Sequence, residues 1–360
     1  MRCLVLFPCL GAMGLALFGR SVEPPQEPVW TSPKGYACHR AVGPITIDGR
    51  LAEDSWKAVP WTDEFVDIEG DRKPKPRLRT RVKMLWDDDN LYLAAELEEP
   101  HVWGTLTKHD SVIFQDNDFE VFLNPEGDSH LYAELELNAL NTTWDLLLTM
   151  PYKDGGKAID SWEIAGLKTA VHVDGTINDA KNRDRGWTIE IAWPWKGLRE
   201  LTSRNVPPKD GDQWRINFSR VEWEHEVVEG KYLKVKGKPE NNWVWSPQGV
   251  IDMHRPERWG YLQFSTAAPG KAAFVPDAAG PAKQLLHRIY YAQRSYREKN
   301  GKWAGTLAEL GLKDLEHSSV IGTPKLETTA SLFEVSVELK STGDKRHRWH
   351  IRQDAKVWSE

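Results

Sequence analysis

Cysteine is scarce. The 360 residues hold three, at positions 3, 9 and 38, and the first two lie in an N-terminal apolar stretch. That stretch reads as a secretory signal, so its removal leaves Cys38 alone. One cysteine forms no intrachain disulfide and no thiolate zinc site, and the fold must rest on its apolar core. Basic clusters are missing as well. A net charge of -6 gives no reason to expect a nucleic-acid partner, because neutralising phosphates takes grouped lysines and arginines. No second apolar run is long enough to span a bilayer. There is no Gly-x-Ser-x-Gly elbow for a nucleophilic serine, no phosphate-cradling glycine loop and no His-rich metal motif.

Tryptophan is plentiful by contrast, at 18. Each indole buries much area at small entropic cost, and an exposed one offers a flat apolar face. Any single tryptophan is more often core than platform, but this many leaves several to stack on a ligand. Hydrophobic residues at 40% and charged residues at 28% are ordinary for a soluble globular chain.

Five segments follow from composition and periodicity. Residues 1–20 read as a signal peptide: Arg2 is the charged start, and residues 3–18 form an apolar run broken by Pro8 and Gly11. The protein is therefore expected to be secreted or periplasmic. Residues 21–35 are rich in Pro and Glu and read as a flexible leader. Residues 36–265 carry about nine to twelve short alternating segments separated by turn signals. They predict an all-β antiparallel sandwich, immunoglobulin- or jelly-roll-like. Residues 266–281 form an Ala/Gly/Pro linker. Residues 282–360 read as a small α+β domain, with an amphipathic helix over 282–300 stopped at Gly301, a second short helix over 307–310, and strands over 333–339 and 348–351.

The most informative stretch is 116–138. Residues 116–124 and 131–138 each alternate with period 2, and Pro125-Glu126-Gly127-Asp128-Ser129 joins them as a turn, so they predict a hairpin. Phe119, Val121 and Leu123 fall on one side, with Leu131, Ala133, Leu135 and Leu137. Glu120, Tyr132, Glu134, Glu136 and Asn138 fall on the other. That face is expected to be a water-facing wall suited to a sugar, a calcium ion or both, since carboxylates accept hydroxyl protons and hard oxygens suit Ca²⁺. A second hairpin joins residues 80–86 to 91–97 through the acidic tip Asp87-Asp88-Asp89-Asn90. Residues 222–242 are a long polar excursion, too long for a turn and so a candidate functional loop.

Several motifs in order resemble a family 9 carbohydrate-binding module over roughly residues 36–265. They are Ile45-Thr46-Ile47-Asp48-Gly49-Arg50-Leu51 with Trp56, the segment 82–93, Asn117-Asp118-Phe119-Glu120-Val121-Phe122-Leu123, Trp187-Thr188-Ile189-Glu190-Ile191-Ala192-Trp193-Pro194-Trp195, and Pro256-Glu257-Arg258-Trp259-Gly260-Tyr261-Leu262. The resemblance implies a β-sandwich that binds glucans or xylans, carries structural calcium, and is often appended to glycoside hydrolases. It also implies a clamp of two tryptophans over an acid, an amide and an arginine. Glu120 matches the acid and Asn138 the amide. Phe114 and Met253 stand where the tryptophans are expected, and Glu136 stands where the arginine is. The scaffold matches better than the clamp. Trp144, Trp162, Trp223, Trp243, Trp245 and His254 could supply replacement platforms. The C-terminal segment resembles the globular part of type IV pilin-like proteins.

The expected carbohydrate site is Phe114, Glu120, Glu136, Asn138, Trp144, Arg220, Trp245 and His254. Structural calcium is expected at Asp116 and Asp118, with Asp87, Asp88 and Asp89 as further candidates. The expected function is non-catalytic binding of a poly- or oligosaccharide, accessory to its breakdown. Two alternatives stand beside it. One is a glycoside hydrolase using two of Glu120, Glu134 and Glu136, although a flat sheet face supplies no reason for a raised pKa. The other is an envelope assembly protein whose C-terminal part docks a partner.

Overall fold

The structure is a computed structural model that describes residues 32–312, 315, 317, 319–340 and 347–360. The expected signal peptide, and the leader up to residue 31, lie outside the described residues. In chain order the strands are β1 (Gly35–Arg40), β2 (Val66–Asp67), β3 (Thr80–Trp86), β4 (Asn90–Glu98), β5 (Asp118–Asn124), β6 (Tyr132–Asn138), β7 (Thr143–Leu148), β8 (Ala158–Ile159), β9 (Lys168–Asp174) and β10 (Gly186–Pro194). They continue with β11 (Gln213–Glu222), β12 (His225–Val228), β13 (Lys231–Lys234), β14 (Asn241–Val244) and β15 (Gly260–Ser265). The C-terminal unit adds β16 (Val320–Thr328), β17 (Phe333–Leu339), β18 (His347–Arg352) and β19 (Val357–Ser359). Three α-helices, α1 (Asp54–Ala58), α2 (Trp195–Leu198) and α3 (Gly280–Asn300), and several three-residue 3-10 turns complete the regular structure.

The protein is mostly β. Thirteen strands form one hydrogen-bonded sheet, ordered β8-β7-β6-β5-β11-β15-β1-β3-β4-β10-β9, with β14 and β2 attached beside β11. The sheet is mixed, which corrects the all-antiparallel expectation. β1 runs parallel to β15 on one side and to β3 on the other. It joins two arms that curl to face each other. One apolar cluster takes Phe119, Val121, Leu135 and Phe218 from the first arm and Val82, Met84, Leu93, Ile189 and Ile191 from the second. Much of the tryptophan goes here. Trp193, Trp214 and Trp245 are at most 1% exposed. Trp86, Trp195, Trp214 and Phe264 meet edge to face with centroids 4.9–6.4 Å apart. At about 25 cal/mol per Å², each such indole contributes roughly 4–6 kcal/mol of burial.

The motif residues at positions 48–56 have a structural reason. Buried Glu190 on β10 accepts the Asp48 and Gly49 N–H groups at 2.9 and 2.8 Å and the Trp56 indole N–H at 2.7 Å. Gly49 has φ +83°, and a Cβ there would lie 2.6 Å from the His172 nitrogen, so only glycine fits. Residues 45–47, at the head of that motif, are irregular. The 222–242 excursion contains a hairpin, β12–β13, turned at Glu229 and Gly230 with φ +52° and +77°. Leu131 precedes β6 instead of joining it, with φ +47° and its side chain exposed.

The C-terminal unit is a four-stranded sheet, β16-β17-β18-β19, packed on α3. Pro281 starts the helix, and Gly301 at φ +70° ends it. Ala282, Leu285, Leu286, Ile289 and Tyr290 share a cluster with Phe333, Val335, Val337 and Ile351. This unit is tied to the large sheet by polar contacts. The Arg294 guanidinium reaches Asp154 Oδ1 and the Lys153 carbonyl, both at 2.7 Å, and Tyr290 bonds Asp154. Tyr291 bonds Glu257 and accepts from Arg255 at 3.1 Å. No helix among the described residues is long and apolar enough to cross a membrane.

Candidate functional site

The outer face of the first arm is divided along its length. Toward one end Phe122, Tyr132, Leu146, Leu148 and Trp259 form a small apolar cluster. Toward the other end the face is acidic. Register places side chains in rows across four strands: Ser219 on β11, Glu120 on β5, Glu136 on β6 and Trp144 on β7. The next row holds Asn217, Phe122, Glu134 and Leu146. Above these rows lies a cavity of about 350 Å³, within the range of small-ligand clefts. Glu120, Glu134 and Glu136 form part of its floor. Phe114, Trp144, Tyr152 and Met253 supply apolar walls, and Glu240, Asn242, Asp252 and His254 close it from the β14 side. Tyr152 and Ile251 are exposed at its rim.

The wall is a recess, not the open face expected. Glu120, Glu134 and Glu136 are 5%, 5% and 2% exposed. The cavity's described lining includes no lysine or arginine. Burial therefore raises the carboxyl pKa values, and neighbouring acids raise them further. Glu120 is pushed up to about 7, by burial and then by Glu240. Glu134 rises well above the usual range through burial and Glu120. Glu136 rises likewise through burial, Glu120, Asp118 and Glu134. His254 goes the other way, held down to about 4 by burial, and is neutral at pH 7. Its Nδ1 pairs with the Tyr132 hydroxyl at 2.9 Å, and its ring stands edge-on to Tyr152 with centroids 4.5 Å apart. The Phe114 backbone N–H donates to Glu136 Oε2 at 3.0 Å, which fixes that carboxylate.

Of the expected site residues, Phe114, Glu120, Glu136, Trp144 and His254 come together at this cavity. Three do not. The Asn138 amide is committed elsewhere: it donates to the Leu106 carbonyl and Asp116 Oδ2, and its oxygen accepts the Leu140 and Thr142 N–H groups. Arg220 lies opposite Phe119 in the ladder, on the core side of β11, 1% exposed. Its guanidinium contacts Glu99 and Glu222, each at 2.8 Å. Trp245 is 1% exposed in the main core, as are Trp162 and Trp243 at under a tenth. Trp223 spends its indole N–H on the Phe114 carbonyl, with Lys234 over its ring.

The metal candidates separate too. Both Asp116 oxygens are taken, by the N–H groups of Thr105 and Leu106, the Thr105 hydroxyl and the Asn138 amide. Asp87 is occupied with its own turn, accepting from the N–H groups of Asp89 and Asn90 and from Tyr92. Asp88 pairs with Arg40. Asp118 instead joins the acidic floor, where Asp118, Glu120 and Glu136 each bring an oxygen within 4.8 Å of the others.

Tyr152, Glu240, Asn242 and Asp252 were outside the expected site. No periodic signal marks them, because all but Asn242 lie outside the strands, Tyr152 at the start of a short 3-10 turn, and only the tertiary fold brings them to β5 and β6.

Residues 47–246 match the family model described as carbohydrate family 9 binding domain-like. No curated protein matches the chain. Among solved structures, a family 9 carbohydrate binding module from Caldicellulosiruptor kristjanssonii is similar at a TM-score of 0.42, both in complex with cellotriose (14% identity) and with glucose (15%). Each comparison covers 67% of this chain and 100% of that one. A putative carbohydrate-binding protein from Bacteroides uniformis is similar at 15% identity and a TM-score of 0.47, over 65% of this chain and 100% of that one.

Proposed function

The chain belongs to the carbohydrate family 9 binding domain-like family, and on that basis we propose that its cavity binds a saccharide without cleaving it. The observation that carries this is the row Glu120–Glu136–Trp144, set on three hydrogen-bonded strands inside a recess. Carboxyl groups at the floor exchange hydrogen bonds with ring hydroxyls, while Trp144 and Phe114 take the apolar C–H face. Strands hold these groups in place before a ligand arrives, which lowers the ordering cost of binding.

Hydrolysis is the weaker reading. Glycoside cleavage needs one carboxyl kept protonated and one kept ionised. Here burial and neighbouring acids push Glu120, Glu134 and Glu136 all upward, and no lysine or arginine in the described lining holds one of them ionised.

Isothermal titration of the full chain with β-1,4-linked gluco- and xylo-oligosaccharides tests the proposal. Saturable binding, weakened about tenfold or more by Trp144→Ala, is the expected result; silence across the panel overturns it. Reducing-sugar release that depends on Glu120 would favour hydrolysis instead. The same reading places the protein outside the cytoplasm, secreted or periplasmic, where polysaccharide is found, and makes it an accessory to polysaccharide breakdown. The apolar run at residues 3–18 supports export.

A further inference from the structure

The cavity on the first arm carries charge of one sign. Five carboxyl groups line it: Glu120, Glu134 and Glu136 on the floor, Glu240 and Asp252 on the β14 side. Asp252 is paired with Arg255 at 2.9 Å. The other four face the cleft with no lysine or arginine in its described lining. His254 brings no charge at pH 7. Glu134 is 5% exposed, and its Oε2 has no hydrogen-bond partner, with His254 Nε2 standing 4.0 Å off. Asp118, sealed behind the floor, has one oxygen in the same condition. A buried carboxyl oxygen without a donor is costly, and ionising several together is more so. The three floor glutamates sit on the paired strands β5 and β6, so the demand for donors is built into the fold.

We infer that the cavity selects a cationic saccharide, an oligomer of a β-linked 2-amino sugar, over its neutral counterpart. The inference rests on the saccharide reading above and adds the charge of the sugar. An ionised carboxyl only accepts hydrogen bonds, whereas an ammonium brings three donors, no acceptor and the compensating charge. A hydroxyl brings one donor and leaves the charge unanswered. Hydrogen bonds between charged groups are roughly twice as strong as neutral ones, and a recess of low dielectric strengthens them further. Burial and neighbouring acids raise these carboxyls in the empty cavity, and a bound ammonium opposes that rise.

The walls point to the same ligand. Phe114, Trp144 and Tyr152 line the cleft beside the acids. Such rings attract a cation through their faces and also stack on the C–H face of a pyranose. A neutral glucan uses the rings and leaves the acids uncompensated. A linear polyamine uses the acids and has no ring face to stack. An amino sugar uses both, because its ammonium and its apolar face belong to one rigid ring.

The test is isothermal titration of the full chain at about pH 6, in buffer containing EDTA, where an amine of this kind is charged. Three oligosaccharides of equal length share one backbone: β-1,4-linked glucosamine, its N-acetylated form and β-1,4-linked glucose. Putrescine is the fourth ligand. The glucosamine oligomer is expected to bind about tenfold tighter than the glucose oligomer or better, and N-acetylation should remove the advantage. Glu134→Gln and Glu136→Gln, both close in shape to the native residues, should each cut that ratio about threefold or more, with melting curves showing that the variants are folded. Asp88→Asn, which removes an exposed acid at the β3–β4 turn, should leave the ratio unchanged. Glucose oligomer bound as tightly as glucosamine oligomer leaves the saccharide reading standing and overturns the preference for charge. An unchanged ratio in both glutamine variants overturns it too. So does putrescine bound as tightly as the glucosamine oligomer, since the ligand is then an amine and not a sugar. Silence from all three oligosaccharides removes the saccharide reading itself, and this inference with it.

Discussion

Glu120 on β5 and Glu136 on β6 are directly opposed across the ladder, and both are nearly sealed from solvent. Like charges in that relation destabilise a sheet, by an amount comparable to the roughly 0.2–1 kcal/mol that favourable cross-strand pairs contribute. Burial enlarges the penalty. Glu136→Gln keeps the shape and the acceptor for the Phe114 N–H. It is expected to raise the stability of the ligand-free protein by about 1 kcal/mol while weakening saccharide binding. Urea unfolding and isothermal titration on the same preparation check both halves. A variant that loses both stability and binding would show that the pair serves the fold alone.

Trp144 and Trp245 should answer differently to the same substitution. Trp144 is partly exposed on the cavity wall, and Trp144→Ala is expected to cost about tenfold in saccharide affinity with little change in Tm. Trp245 is sealed in the core, where truncation to alanine costs about 3–5 kcal/mol of stability. Paired melting curves and titrations distinguish them.

Arg220 is a second contrast. It is expected to matter for folding and not for ligand. Arg220→Ala leaves Glu99 buried without its guanidinium, while Glu222 keeps Arg77, at 2.7 Å, as its one cation, and breaking such a buried pair costs about 3–5 kcal/mol. Saccharide affinity of the fraction that remains folded should stay within about twofold of the parent. A large loss of affinity with unchanged unfolding would return Arg220 to the binding site.

Acid should loosen the contact between α3 and the large sheet in two steps. Burial holds His287 down to about 4, against an ordinary 6.5. The unfolded chain therefore takes up this proton first. The contribution is full above about pH 6.5 and is lost as pH falls toward 4. Glu257 follows. Burial alone would raise its pKa, but Lys153, His287 and Arg255 more than offset that and hold it at about 2. Its contribution is full above about 4.5 and fades toward 2. Each shift corresponds to on the order of 3 kcal/mol. Unfolding free energies from pH 7 to 2 should lose the first step in His287→Gln and the second in Glu257→Gln.

Much of the scaffold is visible in local pattern. Alternation over 80–97 with the Asp-rich tip between is sufficient for β3 and β4, because one face of each strand meets the core and the turn chemistry is local. The parallel placement of β1 is not visible: its partners are β15, over 200 residues away, and β3. Burial of the second face of β5 and β6 is hidden for the same reason, since the cover comes from residues 240–254. Two site assignments fail on signals that are in the chain. Parity puts Arg220 on the side of Ile216 and Phe218, so it points to the core. Asn138 ends its strand two residues before Leu140 and four before Thr142, the spacing of an Asx-type turn, and the turn captures its side chain. Glu120, Glu136 and Phe114 are legible because alternation sets their face, but their depth is not.

Tyr152 stands at the cavity rim, and two residues later Asp154 is gripped by Tyr290 and Arg294 of α3. His254 and Glu257 repeat the arrangement through Tyr291. Two stretches of cavity wall are thus hung from the helix that the sequence alone assigns to a separate body. By reciprocity, whatever free energy an occupant contributes to steadying α3 through Tyr152 must return as added affinity when α3 is held in place. The tail of the chain then works as a gauge of what sits in the cleft, and severing it should blunt the grip without touching a single residue in contact with the sugar.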